Sequence, residues 1–131
     1  LRTGKKIVDL CFVIKKTDTE IFACIRYWLI EIGFEKGLLL GPLAVRKDMQ
    51  RHGLGSLLIN HSLEIAKEKK FKFCFVSGES DYYPKFGFNR IKQKNLILPG
   101  AIDPERLHII FFEEGIENKM GDKPWTVKSS N

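Results

Sequence analysis

The chain of 131 residues is poor in cysteine, with Cys11, Cys24 and Cys74 as its whole supply. None forms a Cys-x-x-Cys pair and no histidine stands at a zinc-ligand spacing, so the sequence gives no reason to expect a metal. All three lie in apolar, strand-like runs, which reads as small buried hydrophobes in a reducing, cytoplasmic setting. A hairpin turning near Thr17-Asp18 would set Cys11 and Cys24 on facing strands, where a disulfide is open, although the reducing reading goes against one. Long hydrophobic stretches are missing as well. The longest apolar run, Gly37 to Val45, is broken by Gly41-Pro42. It is far short of the roughly 20 residues a membrane span needs, so no membrane association is expected. No apolar stretch follows the charged start Leu1-Arg-Thr-Gly-Lys-Lys6, so no secretory signal is visible. The first residue is not Met, which points to residues lost or removed upstream.

Acidic residues are outnumbered, 16 against 22 Lys and Arg, giving a formal net charge of +6. The excess is even along the chain: ten basic residues meet seven acidic ones up to residue 65, and twelve meet nine beyond it. There is no basic tail. The cluster Lys67, Lys69, Lys70 and Lys72 suits the C-terminal end of a helix dipole, so no nucleic-acid partner is expected. The charge does favour a polyanionic small molecule. With 44% hydrophobic and 29% charged residues, the chain can bury a core, and its length fits a single domain over residues 1–131.

Residues 11–14 and 21–30 are rich in β-branched and aromatic side chains, and the polar link Lys15 to Glu20 reads as a hairpin turn. After a turn carrying Gly33 and Gly37, a third strand covers Leu38 to Val45. A helix over about 53–70 carries Leu54, Leu57, Leu58, Ile65 and Ala66 at helical spacing. Phe73 to Ser77 is a short apolar strand suited to the sheet centre. The strand–helix–strand unit from 38 to 77 implies a right-handed crossover and parallel neighbours. A helical turn over 81–86 ends at Gly87, Leu107 to Phe112 makes a last strand, and 121–131 is a polar, loose tail. The fold class is α/β (α+β), with a mixed, mostly antiparallel sheet.

Two neighbouring features break ordinary packing rules. Proline cannot donate to a β-ladder, yet Gly41-Pro42 interrupts a strand too apolar to be an exposed edge. A bulge there would splay this strand from its parallel neighbour at 73–77 and leave backbone groups of Leu43, Ala44 and Val45 seeking partners. A ligand, a side chain or water would serve. The second feature is Gln50-Arg-His-Gly-Leu-Gly-Ser56 before the helix. Its glycines let backbone amides approach a ligand closely, and no carboxylate lies between Arg51 and Asn60 to neutralise the positive helix end. That suits a pyrophosphate, although a tightly packed helix start would look the same.

Together these residues carry a resemblance. Leu43-Ala-Val45 followed by Gln50-x-x-Gly53-x-Gly55 resembles motif A of the GNAT superfamily of N-acetyltransferases, and Tyr82-Tyr-Pro-Lys-Phe-Gly-Phe88 resembles that superfamily's Tyr-x-x-x-Gly-Phe signature. The run from Leu40 to Phe88 is similar to one bacterial subgroup of predicted N-acetyltransferases. The resemblance implies acetyl-CoA as donor and a small-molecule or peptide amine as acceptor. It places the pantetheine arm in the splay, on the backbone of Leu43, Ala44 and Val45. The pyrophosphate falls to Gln50, Arg51, His52, Gly53, Leu54, Gly55 and Ser56, with Tyr83 and Phe86 as further contacts. Tyr83 falls at the signature tyrosine, whose role would be general acid toward the departing thiolate. Glu79, with Glu31 and His108 as rivals, is a candidate base. Members of the superfamily also begin with a strand and one or two helices for which fewer than a dozen residues are present before Cys11. Their absence predicts exposed apolar surface that a homodimer would cover, and it leaves a non-catalytic module binding CoA or phosphopantetheine as the other reading.

Overall fold

A computed structural model describes residues 10–78, 81–91, 96–97, 104–121 and 125–129. Strands β1 (Phe12–Lys15) and β2 (Ile21–Ile32) form the first hairpin, and β3 (Glu35–Val45) returns alongside β2. Helix α1 (Leu54–Glu68) crosses to β4 (Phe73–Ser77), which pairs parallel with β3. Then follow β5 (Asn89–Arg90), β6 (Leu96–Ile97), β7 (Leu107–Phe111), a short helix α2 (Ile116–Met120) and β8 (Trp125–Ser129). The sheet runs β5-β7-β4-β3-β2-β8-β6, with β1 on the outer side of β2. The expected mixed, mostly antiparallel sheet is what forms, with β3–β4 as the central parallel pair and α1 as the crossover helix.

Side-chain alternation sorts the core onto the two faces of the sheet. Leu38, Leu40, Cys74 and Val76 meet the buried stripe Leu58, Ile59, Leu63 and Ala66 of α1. Leu39, Phe73 and Phe75 point the other way, onto Ile109, Trp125 and Val127. Leu57, counted on the apolar stripe by spacing alone, lies on the solvent side of the helix. Within the first face the fully buried Tyr27 hydroxyl lies 2.7 Å from the Ser62 hydroxyl, which itself donates to the Leu58 carbonyl at 2.6 Å. Tyr27 therefore donates to Ser62, and every polar atom of this buried pair is satisfied. Burial raises the Tyr27 phenol far above its ordinary range.

Three sequence expectations need correction. Within the stretch expected to be loose, residues 125–129 are a strand: β8 pairs with β2 through Ile32↔Val127, and Trp125 and Val127 are buried. Its indole donates to the Gly121 carbonyl at 3.1 Å. Gly37 is not in the turn but inside β3, where a Cβ would stand 2.3 Å from the buried Phe73 ring, so the residue is small because a ring occupies its side-chain space. Cys11 and Cys24 do not face each other, since the register sets Val13 opposite Cys24; both are thiols, as the reducing reading expects.

Candidate functional site

The break in β3 is a bulge. Ile25 faces Leu43 and Tyr27 faces Leu40, so Arg26 alone stands opposite Gly41 and Pro42. The Trp28 indole donates to the Gly41 carbonyl at 2.7 Å, which fixes the distorted backbone from the side. On its other edge β3 pairs with β4 only at Leu38↔Cys74 and Leu39↔Phe75. Beyond that apex the two strands part.

Which backbone groups face the opening follows from pairing parity. Arg46 donates its N–H to the Phe22 carbonyl at 2.7 Å, closing a hydrogen-bonded pair of the antiparallel ladder. Hydrogen-bonded and non-bonded pairs alternate, so Ala44 turns its polar groups to β2 while Leu43 and Val45 turn theirs away, into the splay. The Gln50 amide nitrogen donates to the Val45 carbonyl at 3.3 Å from that side. An extended chain entering the splay would find a ready ladder on Leu43 and Val45.

At the wide end of the splay lies the start of α1. Gly53 adopts a left-handed conformation (φ 77°) and carries no side-chain cap, and Arg51 is left-handed too (φ 70°). The first intrahelical bond runs from Leu57 N–H to the Gly53 carbonyl, so the N–H groups of Leu54, Gly55 and Ser56 have no carbonyl four residues back within the helix. The first turn contains no acidic residue. Asp48, the nearest carboxylate in sequence, is gripped by Arg46 through two bonds of 2.6 and 2.8 Å, which hold its carboxyl below the ordinary range.

These elements surround a cavity of about 500 Å³, a size suited to a ligand. Leu43 and Val45 form its apolar floor, Gln50 and Arg51 one wall, and Gly53, Leu54, Gly55 and Ser56 its closed end. Tyr82 and Lys85 supply the opposite wall, with the Lys85 ammonium 4.2 Å from the centre of the Tyr82 ring. A Cβ on Gly55 would stand 2.9 Å from the Tyr82 hydroxyl, so the narrowing there depends on glycine. Backbone donors, two cations and an apolar floor suit a polyanion attached to an extended arm.

The structure brings eight of the sequence-picked residues to one cavity: Leu43, Val45, Gln50, Arg51, Gly53, Leu54, Gly55 and Ser56. Four others stand apart. Ala44 lines a shallow depression with Phe22 and Cys24 on the opposite face. His52 is exposed and does not line the cavity. Phe86 packs edge-on against Tyr82, 5.3 Å between ring centres. Tyr83 points inward, half-buried, with Phe88 at 5.8 Å and His108 at 6.3 Å, and its ring fills the space a Cβ on Gly78 would need. Burial, with Tyr82 and Cys74 alongside, raises its phenol above the ordinary value, so it keeps its proton at neutral pH. Glu79 lies outside the described residues. Glu31 sits beside Lys36 and Lys128, at the end of β3 remote from the cavity. His108 is 1% exposed on β7, its Nδ1 3.0 Å from the Arg106 carbonyl.

Sequence reading missed Tyr82, Lys85 and Met49, all on the cavity wall. Two adjacent tyrosines give no sign of which faces a ligand. That is settled by the tight turn Tyr83–Phe86, which rotates each residue by about 120° from the last.

No curated protein matches this chain. Among solved structures it superposes on a GNAT family N-acetyltransferase from Escherichia coli in complex with CoA, at a TM-score of 0.74 and 15% identity. A GNAT family acetyltransferase from Brucella melitensis, in complex with acetyl-CoA, gives 0.58 at 23%. The two superpositions take in 89% and 75% of this chain but only 64% and 55% of those proteins, so it spans less than two thirds of their length. Likeness at such identity is a likeness of fold. The sequence pattern of the acetyltransferase (GNAT) domain matches residues 8–90, more than half of the chain. That stretch holds the bulged strand, the splay and the glycine turn, and the chain belongs to the GNAT acetyltransferase family.

Proposed function

We propose that this chain transfers the acetyl group of acetyl-CoA to a primary amine by direct attack. The observation that carries the reading is the continuity of two binding features. The open ladder on Leu43 and Val45 runs into a cavity closed by the uncapped start of α1. The amide groups of a pantetheine arm match the first feature, and a pyrophosphate matches the second. Arg51 and Lys85 add positive charge where the CoA phosphates would lie. The reading is in keeping with the E. coli and B. melitensis neighbours, whose structures hold CoA and acetyl-CoA.

In this reading the thioester comes to rest near the apex of the splay, where Tyr83 packs close to Cys74. The amine nitrogen attacks the thioester carbonyl, the C–N bond forms and the C–S bond breaks. Tyr83, held protonated by its burial, gives its hydroxyl proton to the departing thiolate, and the proton shed by the attacking nitrogen restores the phenol.

Thermal unfolding with acetyl-CoA, CoA or ATP tests the binding half. Acetyl-CoA and CoA should each raise the melting temperature and ATP should not, since a ligand stabilises only the state it binds. No rise with either CoA species removes the proposal. Thiol release with a panel of amines tests the chemistry. Tyr83→Phe should lower kcat by about 100-fold, within the usual range for losing an acid catalyst, with the acetyl-CoA melting shift retained. A retained shift with no turnover toward any amine would leave a CoA-binding module.

A further inference from the structure

We propose that His108 is the proton acceptor of this reaction, taking the amine proton and returning it through Tyr83; the proposal rests on the acetyl-transfer reading above. Strands β3 and β4 separate after Leu39↔Phe75, and the next residue on β4, Val76, is in register with His108 on β7. His108 is therefore one strand removed from the apex. Alternation puts its side chain on the same face as Val76, the face that also carries Cys74 and Tyr83. The His108 and Tyr83 rings lie 6.3 Å apart and tilted by 43°.

The Arg106 oxygen facing Nδ1 at 3.0 Å is a backbone carbonyl, which can only accept. Nδ1 therefore carries the hydrogen, and in the neutral ring Nε2 is left with the lone pair. No bond to Nε2 occurs among the described residues. A buried imidazole locked in this form is a base whose accepting nitrogen has been chosen by the backbone. Among the described residues, the titratable or charged groups about it are Tyr83 from the turn after β4, Cys74 from β4, Arg106 two residues before it, and Arg90 from β5, whose guanidinium is held by Glu105.

A buried phenol is a weaker acid than a thiol, so Tyr83 acting alone passes its proton uphill to the CoA sulfur. An imidazolium next to it reverses the slope. The acceptor enters as a neutral amine; as the C–N bond forms, its N–H proton passes through one bridging water to Nε2 of His108, whose 1% exposure keeps it from direct contact with the amine. The C–S bond breaks, the sulfur takes the Tyr83 proton, and the imidazolium replaces the proton on Tyr83. Amine and thioester become amide and thiol, and both side chains end as they began.

The test uses His108→Asn in the full chain, because an asparagine amide can still donate to the Arg106 carbonyl while carrying no base. Acetyl-CoA should raise its melting temperature as in the parent, kcat should fall by about 100-fold, and the acid-side fall of the parent's pH profile should vanish. Parent-like kcat and an unchanged profile would overturn the proposal. If the variant does not fold, the parent decides: the midpoint of its acid limb must coincide with the His108 titration followed by NMR of the imidazole nitrogens, and a mismatch overturns the proposal. Failure of the acetyl-transfer reading itself looks different, since the parent then shows no response to acetyl-CoA.

Discussion

The two edges of β3 receive opposite treatment. Toward β2 the strand is paired from Ile32↔Glu35 to Ala23↔Val45, interrupted only by the bulge at Gly41 and Pro42. Toward β4 it is paired at Leu38 and Leu39 alone. The same eleven residues are thus a rigid wall on one side and an unfinished ladder on the other. A strand held along its whole length by one neighbour can leave its other edge open without fraying, and an open edge beside an uncapped helix start is a preformed site. Preorganisation of this kind lowers the ordering that a flexible ligand arm would otherwise require.

The sharpest way to break the comparison is at the open edge. Gly55→Glu places a carboxylate at the positive end of α1 and a Cβ 2.9 Å from the Tyr82 hydroxyl. The melting shift produced by acetyl-CoA should be lost while the apo melting temperature moves by only a few degrees. Isothermal calorimetry finding parent affinity would show that this helix end does not hold the phosphates.

The closed part of the β3–β4 pair should respond in the reverse sense. Gly37→Ala drives a methyl toward the Phe73 ring, at 2.3 Å before relaxation and on the sheet face away from the cavity. Overpacking of this sort costs about 1–3 kcal/mol, read as a lower urea midpoint. The variant should still answer to acetyl-CoA. Loss of the response would mean that the apex, and not only the open edge, sets the site.

The smallest effect concerns charge. Arg46 holds the Asp48 carboxyl down at the open end of β3, and Lys72 does the same for Glu113 beside β4 at 2.8 Å. A depressed carboxyl stabilises the fold fully above its unfolded value, about 4, and loses that contribution as pH falls through the lower folded value. Both pairs are solvent-exposed, so Asp48→Asn and Glu113→Gln should each flatten the decline of the urea midpoint between neutral and acid pH only slightly. A steepened decline would contradict the sign.

Much of this was legible beforehand because it depends on local chemistry. The crossover unit followed from an apolar run, a polar link and a helical stripe, and the Gly41-Pro42 bulge from proline's missing donor. The strand at the C-terminus was missed although Trp125-Thr-Val-Lys-Ser129 alternates apolar and polar residues; its polar surroundings masked a five-residue period. Gly37 was misplaced because a glycine that makes room for a ring looks, in sequence, like a glycine that makes a turn.

By itself the sequence determined the first hairpin, the strand–helix–strand crossover, the uncapped and uncharged start of α1 and the break in β3, since propensity, charge and a lost N–H act over a few neighbouring residues. Only the tertiary structure decided that Leu43 and Val45, and not Ala44, turn their backbone groups into the splay, because ladder parity is set by the partner strand. It alone decided that Tyr82 walls the cavity while Tyr83 faces inward, and that His108, 25 positions later in the chain, comes to lie beside Tyr83. Register and packing between distant segments have no local signature, since each depends on what the other segment brings.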